Sequence, residues 1–257
     1  MPDSNCLSVK HLTVCYDRKP ALWEAQVSIP QGTMTGIVGP NGAGKSTFLK
    51  AILDLIPATS GSVKFFGEDY RKVRHRIAYV PQRESVDWDY PISAREVVVM
   101  GRYRSIGLFR RVSREDRRKA DEALDRVGML DRADSQIGSL SGGQQQRVFL
   151  ARALVQEADL YLMDEPFAGI DATTERVILE LMRDLRESGA SLVCVHHDLP
   201  TVADYFDHLV LLNLRVVASG AMNDVFTREQ LTQCYGGRLD LLSKLADSLA
   251  KLEALRS

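Results

Sequence analysis

The sequence predicts an α/β protein with a parallel-sheet core, a β-rich N-terminal part and a helical stretch in the middle. Two apolar strands, DLYLMDEP (159–166) and ASLVCVHHD (190–198), flank a helical segment at 173–189. Because a crossover of this kind joins parallel strands, the pattern indicates a parallel sheet. A strand, loop and helix at 27–57 extend the same architecture.

The individual elements follow from short-range patterns along the chain. The β-rich runs LSVKHLTVCY, TGIVG and SVKFFG fill the first part, and from about Ser93 to Leu154 the pattern is helical. Within that stretch Ser113 is a good N-cap and Gly128 can end the helix. LVLLNLRVVASG predicts two short strands and a turn. Leucines at heptad spacing from Leu242 to Leu252 predict a last helix that packs on its own domain or on a neighbour.

The composition is that of an ordinary globular protein with a sizeable core. Of the 257 residues, 45% are hydrophobic and 26% are charged, and the formal net charge is −1. A charge so close to neutral argues against bulk electrostatic binding, so no nucleic acid is expected as a partner. The sequence contains no apolar stretch of membrane-spanning length and no signal-peptide pattern, so any membrane role is expected to come through a partner.

The strongest motif is a glycine-rich loop between a predicted strand and a predicted helix. Glycines let the backbone wrap closely around phosphates, and the helix N-terminus behind them favours negative charge. Lys45 is predicted to reach the β- and γ-phosphates of ATP, and the Ser46 hydroxyl is predicted to ligate Mg²⁺. This P-loop fits G-x-x-x-x-G-K-[ST] and consists of Gly39, Pro40, Asn41, Gly42, Ala43, Gly44, Lys45, Ser46 and Thr47.

An acidic pair ends the apolar strand of DLYLMDEP. Asp164 stands at the strand end, where a carboxylate can reach Mg²⁺ directly or through water. Because side chains alternate along a strand, Glu165 is expected to point elsewhere and to polarise the attacking water as a general base. Such a pair is weak evidence by itself, and it becomes strong in a chain that also carries the P-loop.

A second anion site is predicted at LSGGQ (140–144). Ser141 can cap the following helix, whose N–H groups and dipole favour negative charge. Together with the P-loop and the Asp-Glu strand, LSGGQ strongly resembles the ABC ATPase family, and the resemblance covers roughly residues 7–225. The resemblance implies that the phosphate-binding residues of this LSGGQ segment are Ser141, Gly142, Gly143 and Gln144.

The resemblance implies a P-loop NTPase, with a RecA-like parallel-sheet core at about 1–85 and 156–225. It implies an N-terminal antiparallel β subdomain, a helical subdomain at about 86–155 and a C-terminal helical tail at about 226–257. The chain would then be a single ATP-binding domain over 1–257. The family also implies a head-to-tail homodimer, in which the LSGGQ segment of one subunit completes the ATP site formed by the P-loop of the other.

Several single residues take family roles by their position in these motifs. Tyr16 matches the aromatic residue that stacks on adenine, and Gln82 in YVPQ matches the glutamine that touches Mg²⁺ or the lytic water. His197 in VHHD matches the histidine that contacts the γ-phosphate, whereas its neighbour His196 is expected to be structural. The segment 168–171 (AGID) stands where the family usually has SALD, with alanine in place of the serine.

The segment VDWDYPIS (86–93) leaves three interpretations open. One interpretation is a docking surface for a partner, because Trp and Tyr bury large areas at little entropic cost, and another is that Trp88 packs in the core. Asp87 and Asp89 as metal ligands would make a poor site without a histidine or a third acid. Extended by AREVVVMGRY, the segment resembles ATP-binding subunits of manganese, iron or zinc importers. This resemblance favours manganese, with iron, zinc or another solute as alternatives.

This finer resemblance implies a peripheral protein at the cytoplasmic face of the cell membrane. Its partners would be integral membrane permease subunits and, indirectly, an extracytoplasmic metal-binding protein. An ABC ATPase of DNA repair is disfavoured, because the short separation between Lys45 and Ser141 leaves no room for a long coiled coil. A translation factor of the family is disfavoured as well, since it would carry two such cassettes in one chain.

Overall fold

The computed structural model describes residues 5–17, 19–83, 86–107 and 111–236. The chain divides into two compact units, Met1–Val73 with Ser191–Ser257 and Arg74–Ala190. The predicted subdomain borders follow the type of element rather than this division, and they stay a prediction. The heptad leucines from Leu242 to Leu252 lie outside the described residues.

The first unit contains an antiparallel sheet in which β1 lies between β2 and β4. β1 and β2 carry mostly apolar residues, and their inward-facing positions are buried. The N-terminal antiparallel β subdomain expected from the sequence is therefore confirmed. The strands are β1 (Asn5–Tyr16), β2 (Lys19–Pro30) and β4 (Ser60–Phe65).

The same unit contains parallel strands, with β3 between β7 and β8. All residues of β3 and β7 are buried, as expected for apolar strands inside a parallel sheet. β9 runs antiparallel to β8 after a tight turn, which confirms the two strands predicted there. The strands are β3 (Met34–Val38), β7 (Ser191–Val195), β8 (His208–Asn213) and β9 (Arg215–Ala221), and the helices are α1 (Lys45–Ile52), α2 (Tyr70–Val73), α8 (Leu199–Tyr205), α9 (Met222–Val225) and α10 (Arg228–Tyr235).

The second unit combines two parallel strands with packed helices, among which α3, α5 and α6 contact one another. Helix α5 begins with a capping box between Ser113 and Asp116, and Gly128 just beyond its end has a φ of 63°, as the sequence predicted. The strands are β5 (Ile77–Val80) and β6 (Leu160–Asp164), and the helices are α3 (Ala94–Met100), α4 (Tyr103–Ile106), α5 (Arg114–Arg126), α6 (Gly142–Leu154) and α7 (Ala172–Glu187).

Candidate nucleotide-binding site

The P-loop connects β3 to α1 and folds around its own lysine. Helix α1 begins after Gly44, which has a φ of 94°, and no side chain caps its first turn. Lys45 is buried, and its Nζ donates hydrogen bonds to the carbonyl oxygens of Gly39 at 2.9 Å and Pro40 at 3.1 Å. The loop therefore holds the ammonium group in place, while the helix N-terminus stays available for an anion.

The loop is pressed so closely against its surroundings that two of its glycines are sterically required. A Cβ on Gly39 would lie 1.9 Å from the carbonyl oxygen of Leu212, and one on Gly44 would lie 2.3 Å from that of Ala21. The amide of Leu214 also donates to the carbonyl oxygen of Ala43 at 2.9 Å. Backbone from two neighbouring elements thus fixes the loop before any ligand binds.

The residues at the start of α1 have the chemistry that a nucleotide with a divalent cation needs. Ser46 and Thr47 stand in the first turn with partly exposed side chains, and hydroxyl oxygen is a suitable ligand for Mg²⁺. Asn41 and Gly42 are exposed at the loop tip, where backbone N–H groups can approach phosphate oxygens. The donor set of this loop therefore fits a magnesium-bound triphosphate.

His197 lies at the edge of the sheet from which the P-loop leaves. β3 and β7 are parallel, Ile37 pairs with Val195, and the amide of His196 donates to the carbonyl oxygen of Ile37 at 3.0 Å. Both strands therefore end at the same edge, and the exposed side chain of His197 follows directly.

His196 differs from its neighbour in burial and in bonding. Its side chain is buried, and its Nε2 lies 2.8 Å from Thr201 Oγ1. Burial lowers the pKa of His196 to about 4, so the imidazole is neutral near pH 7. These contacts agree with the structural role that the sequence predicted for His196.

Tyr16 ends β1, and the residue is 50% exposed. β1 pairs with β2, and β2 contributes the Ala21 carbonyl that lies against Gly44. Tyr16 is thus on the strand next to the one that touches the start of α1. Its stacking on adenine stays a prediction.

In the second unit, the acidic pair meets the predicted glutamine at the ends of two parallel strands. β5 pairs with β6 through Val80 and Met163, so Gln82 and Glu165 follow at the same edge. Gln82 Nε2 lies 3.4 Å from Glu165 Oε2. Asp164 is completely buried at the end of β6, whereas Glu165 is partly exposed.

The direction of Glu165 has a different cause from the one expected. Strand alternation was the predicted reason, but β6 ends at Asp164 and Glu165 has a φ of 54°. This left-handed backbone, which costs a non-glycine residue about 1–2 kcal/mol, turns the carboxylate away from the strand. Strain of this kind concentrates at functional sites because the surroundings must enforce it.

The LSGGQ segment forms the capped N-terminus of α6. Gln144 N donates to Ser141 Oγ at 3.4 Å, and Ser141 N donates to Gln144 Oε1 at 2.8 Å, which completes a capping box. A Cβ on Gly143 would lie 3.3 Å from Thr174 Oγ1, which itself donates to Asp171 Oδ2 at 2.9 Å. The AGID segment and the LSGGQ segment are therefore neighbours in this unit.

Arg83 is a residue that sequence reasoning missed. Its Nε donates to Gln145 Oε1 at 3.0 Å, and its guanidinium carbon lies 3.0 Å from where a Cβ of Gly142 would stand. Its carbonyl oxygen accepts a hydrogen bond from Trp88 Nε1 at 2.9 Å. Arg83 thus links the aromatic segment to the LSGGQ segment. Only its place directly after Gln82 could have drawn attention to it in the sequence.

The segment VDWDYPIS forms one wall of an apolar groove. Trp88 is half-buried and packs edge-to-face on Phe149 with ring centroids 5.0 Å apart, whereas Tyr90 is 64% exposed. Within the described residues, no group of three or more His, Cys, Asp or Glu could hold a metal ion. This aromatic groove has a volume of about 240 Å³ and is lined by Val86, Asp87, Trp88, Tyr90, Ile92, Val97, Met100, Ile137, Phe149 and Arg152.

Comparison with known proteins identifies the family. The family model described as ABC transporter matches residues 22–168. The manganese transport system ATP-binding protein MntB of Bacillus subtilis (strain 168) is 54% identical over 236 residues, which cover 92% of this chain and 94% of the relative. The zinc transport system ATP-binding protein TroB of Treponema pallidum (strain Nichols) is 54% identical over 233 residues, which cover 91% and 88%.

A solved structure agrees with these sequence matches. The ATP-binding subunit of an ABC transporter has a TM-score of 0.75 and 28% identity, and the match covers 94% of this chain and 99% of that one. The family model spans more than half of the chain and includes both the P-loop and the LSGGQ segment. The chain therefore belongs to the ABC transporter family and is an ATPase of that family.

Proposed function

We propose that the chain is the ATP-hydrolysing subunit of an importer that takes up a divalent transition metal, with manganese as the first candidate. The observation that carries this proposal is the complete set of ATPase motifs in a chain that is 54% identical to a manganese transport system ATP-binding protein. The transported ion is cargo and has no site on this chain in the proposal.

In this proposal the P-loop binds the triphosphate of ATP. Lys45 contacts the β- and γ-phosphates, the N–H groups at the start of α1 surround them, and Tyr16 stacks on the adenine. Ser46, Gln82 and Asp164 are the proposed ligands of Mg²⁺, whose chemical contribution is to neutralise charge on the phosphate oxygens.

Hydrolysis is assigned to three side chains that accept a proton or contact the reacting groups. Glu165 acts as the general base that takes a proton from the attacking water. Gln82 lies within 3.4 Å of that carboxylate and orients the same water. His197, exposed at the end of β7, donates a hydrogen bond to the γ-phosphate as negative charge develops.

A homodimer explains why one chain carries two phosphate-binding helix N-termini. We propose that the LSGGQ segment of one subunit approaches the nucleotide held by the P-loop of the other. The capping box of Ser141 supports this arrangement, because it orders the N-terminus of α6 before a partner arrives. Two ATP molecules would then be buried at the dimer interface.

The aromatic groove is the proposed docking surface for the membrane permease. Its walls are mainly apolar, and Tyr90 and Met100 are 64% and 40% exposed, which suits an interface better than a free surface. Arg83 joins this groove to the LSGGQ segment through Trp88 and Gln145. Movement of the ATPase can therefore be passed to the permease through contiguous contacts.

The protein is placed at the cytoplasmic face of the membrane by this partner. Within the described part of the chain, no helix has both the length and the apolar character needed to cross a bilayer. Membrane association would come from the permease subunits, and an extracytoplasmic metal-binding protein would deliver the ion to them.

Zinc is the second candidate for the cargo, and a specific observation favours it. The zinc transport system ATP-binding protein is as similar to this chain as the manganese one, at 54% identity. The ATPase motifs are the same for either ion, since they act on ATP. Iron or another solute follows behind these two.

Metal uptake tests this proposal directly. Cells that lack the protein are complemented with the wild type or with Lys45→Ala, and uptake of radiolabelled manganese is measured with zinc and iron as competitors. We expect manganese uptake that requires Lys45 and resists zinc. Loss of zinc uptake alone would keep the transporter and change the ion. An absence of any metal phenotype would contradict the proposed function.

A further inference from the structure

The turn between β8 and β9 lies against the P-loop and contacts it at two points. The carbonyl oxygen of Leu212 is so close to Gly39 that an added Cβ would stand 1.9 Å from it. The amide of Leu214 donates a hydrogen bond to the carbonyl oxygen of Ala43 at 2.9 Å. This segment, residues 212–214, is called the rear turn below. It contacts the P-loop on either side of the loop tip.

The rear turn has a strained backbone where it meets the P-loop. Leu214 has a φ of 57°, a left-handed conformation that glycine adopts far more readily than leucine does. Its N–H is bonded to Ala43, and its carbonyl oxygen accepts a hydrogen bond from the amide of Trp23 at 2.7 Å. Strain of this kind persists only where surrounding contacts enforce it, so the rear turn must be held by other parts of the fold.

The C-terminal end of α10 is one of the parts that hold it. Asn213 Nδ2 donates to the carbonyl oxygen of Cys234 at 2.8 Å, and Cys234 Sγ donates to that of Leu212 at 3.7 Å. Burial raises the pKa of the Cys234 thiol to about 11, although Lys45 acts in the opposite direction, so the thiol keeps its proton near pH 7. The Leu212 carbonyl therefore contacts α10 and the P-loop at the same time.

The last residue of α10 also lies next to the P-loop. The hydroxyl oxygen of Tyr235 is inaccessible to solvent, and it forms no well-aligned hydrogen bond with the described residues. Burial raises the pKa of Tyr235, and the backbone of Gly39 partly opposes this increase, which places the hydroxyl beside the start of the loop. A simple cap for the carbonyls of α10 would account for the bond from Asn213 but not for these further contacts.

We propose that α10 sets the geometry of the P-loop through the rear turn, and that Asn213 and Cys234 are positioning residues for nucleotide binding. Neither side chain contacts the nucleotide in this role, since both act through the backbone of the rear turn and α10. The inference rests on the proposed role of the P-loop as the ATP site. A loop that is already held in its binding geometry loses less conformational freedom on binding, so this support raises the affinity for ATP.

The coupling between α10 and the P-loop must act in both directions. By linkage, a contact that strengthens ATP binding is itself strengthened by bound ATP to the same degree. The backbone amides at 232–235 should therefore exchange their hydrogens more slowly when ATP is bound. Hydrogen exchange reports such local openings even where no ligand touches the segment.

Steady-state ATPase measurements on the purified chain test the two positioning residues. Asn213→Ala should raise the KM for ATP by about 3–10-fold, because one hydrogen bond contributes a factor of this order. The kcat should stay within about twofold of the wild type, since the groups that act on the γ-phosphate are unchanged. Cys234→Ala should raise the KM by about twofold, as expected for a weak thiol donor, and Cys234→Ser should restore the wild-type value because it keeps a donor for the Leu212 oxygen.

Two control variants separate positioning from general stability. Gln233→Ala, at an exposed position of α10, should leave the KM unchanged. Val225 is buried in α9, so Val225→Ala should lower the melting temperature without raising the KM. If Val225→Ala raised the KM as much as Asn213→Ala does, loss of stability would explain both results and the inference would be wrong.

Lys45→Ala, measured in the same assay, separates the inference from the function on which it rests. If Lys45→Ala bound ATP as well as the wild type, the role of the P-loop itself would be wrong. If Lys45→Ala lost ATP binding while Asn213→Ala kept the wild-type KM, the ATP site would stand and the positioning role would be overturned. Hydrogen exchange at 232–235 that did not respond to ATP in the wild type would overturn it as well.

Discussion

The N-termini of α1 and α6 are the two phosphate sites of our proposal, but they are built in opposite ways. α1 starts after Gly44 without a side-chain cap, and the lysine behind it is held by two loop carbonyls. α6 starts after Ser141, whose hydroxyl and whose partner Gln144 form a capping box. One N-terminus is thus open and the other is closed by its own side chains.

This difference bears on how each N-terminus can bind a nucleotide. At α1 no side chain caps the first turn, so a phosphate group does not compete with a capping side chain there. At α6 the N–H of Gln144 already has the Ser141 hydroxyl as acceptor, so a phosphate must compete with it. In our proposal the P-loop therefore binds ATP by itself, and the LSGGQ segment contributes only when a partner subunit presents the bound nucleotide.

Glu165→Gln should give the largest effect, and it tests whether the N-termini of α1 and α6 act on ATP in different subunits. Hydrolysis should fall by about 10²–10⁴-fold, because the general base is lost. ATP should still bind to the P-loop and trap a dimer that size-exclusion chromatography with light scattering detects. Adding Ser141→Arg should abolish that dimer and leave ATP binding intact. Turnover at the wild-type rate would contradict the role of Glu165.

Lys45→Ala should weaken ATP binding by about 10–100-fold, since a charge-assisted contact to phosphate is lost. Lys50→Ala, in the last turn of the same helix, is the matched control and should leave the affinity unchanged. Titration of the isolated chain with a fluorescent ATP analogue measures both variants. Equal affinities for Lys45→Ala and the wild type would contradict the proposal that the P-loop at the start of α1 binds ATP through Lys45.

Gly39→Ala should lower the free energy of unfolding by about 1–3 kcal/mol, because backbone carbonyls cannot move aside as a side chain can. The new Cβ would lie 1.9 Å from the Leu212 carbonyl oxygen. Gly42→Ala meets no atom within 4 Å and has only its φ of 79° against it, so a smaller loss is expected. Urea unfolding measures both. A larger loss for Gly42→Ala would show that the loop is held less tightly than its contacts indicate.

Acid should destabilise the fold through His196, whose amide donates to the carbonyl oxygen of Ile37 in β3, the strand that leads into the P-loop. The pKa of His196 is about 4 in the folded protein, below its ordinary value of 6.5, so the unfolded chain binds this proton first as pH falls. The contribution is complete above pH 6.5 and decreases toward pH 4, with about 2 kcal/mol lost between pH 7 and pH 5. His196→Asn should show a shallower pH dependence in denaturant titrations. The same slope in both proteins would contradict this assignment.

Ser141→Ala should have the smallest effect, about 1 kcal/mol of stability from the lost cap. ATP binding by the isolated chain should be unchanged, because the P-loop does not use this residue. Steady-state ATPase assays at several protein concentrations then show whether the dimer is affected. A loss of ATP affinity in the isolated chain would contradict the proposal that the P-loop binds ATP by itself and that α6 contributes only in the dimer.

Motifs whose chemistry depends on neighbouring residues were readable from the sequence. The P-loop, the strand before Asp164 and the cap at Ser141 each lie within one short segment, so residue type and spacing define them. The α/β architecture and the antiparallel N-terminal sheet followed from strand and helix patterns and agree with the structure. The backbone turn at Glu165 was mistaken for strand alternation, because a single left-handed residue has no periodic pattern.

Short-range sequence patterns identified the family, the residues of the two helix N-termini that we propose bind phosphate, and the order of the main elements. Contacts between distant segments became visible only in the folded chain, where Arg83 lies against Gly142 and Gln145, and Trp88 packs on Phe149. The structure also places the guanidinium carbon of Arg152 5.5 Å from the centroid of the Phe149 ring. The contacts of Arg83 and Trp88 join residues that are distant in sequence. Composition and motif spacing carry no information about how far apart such residues lie in space.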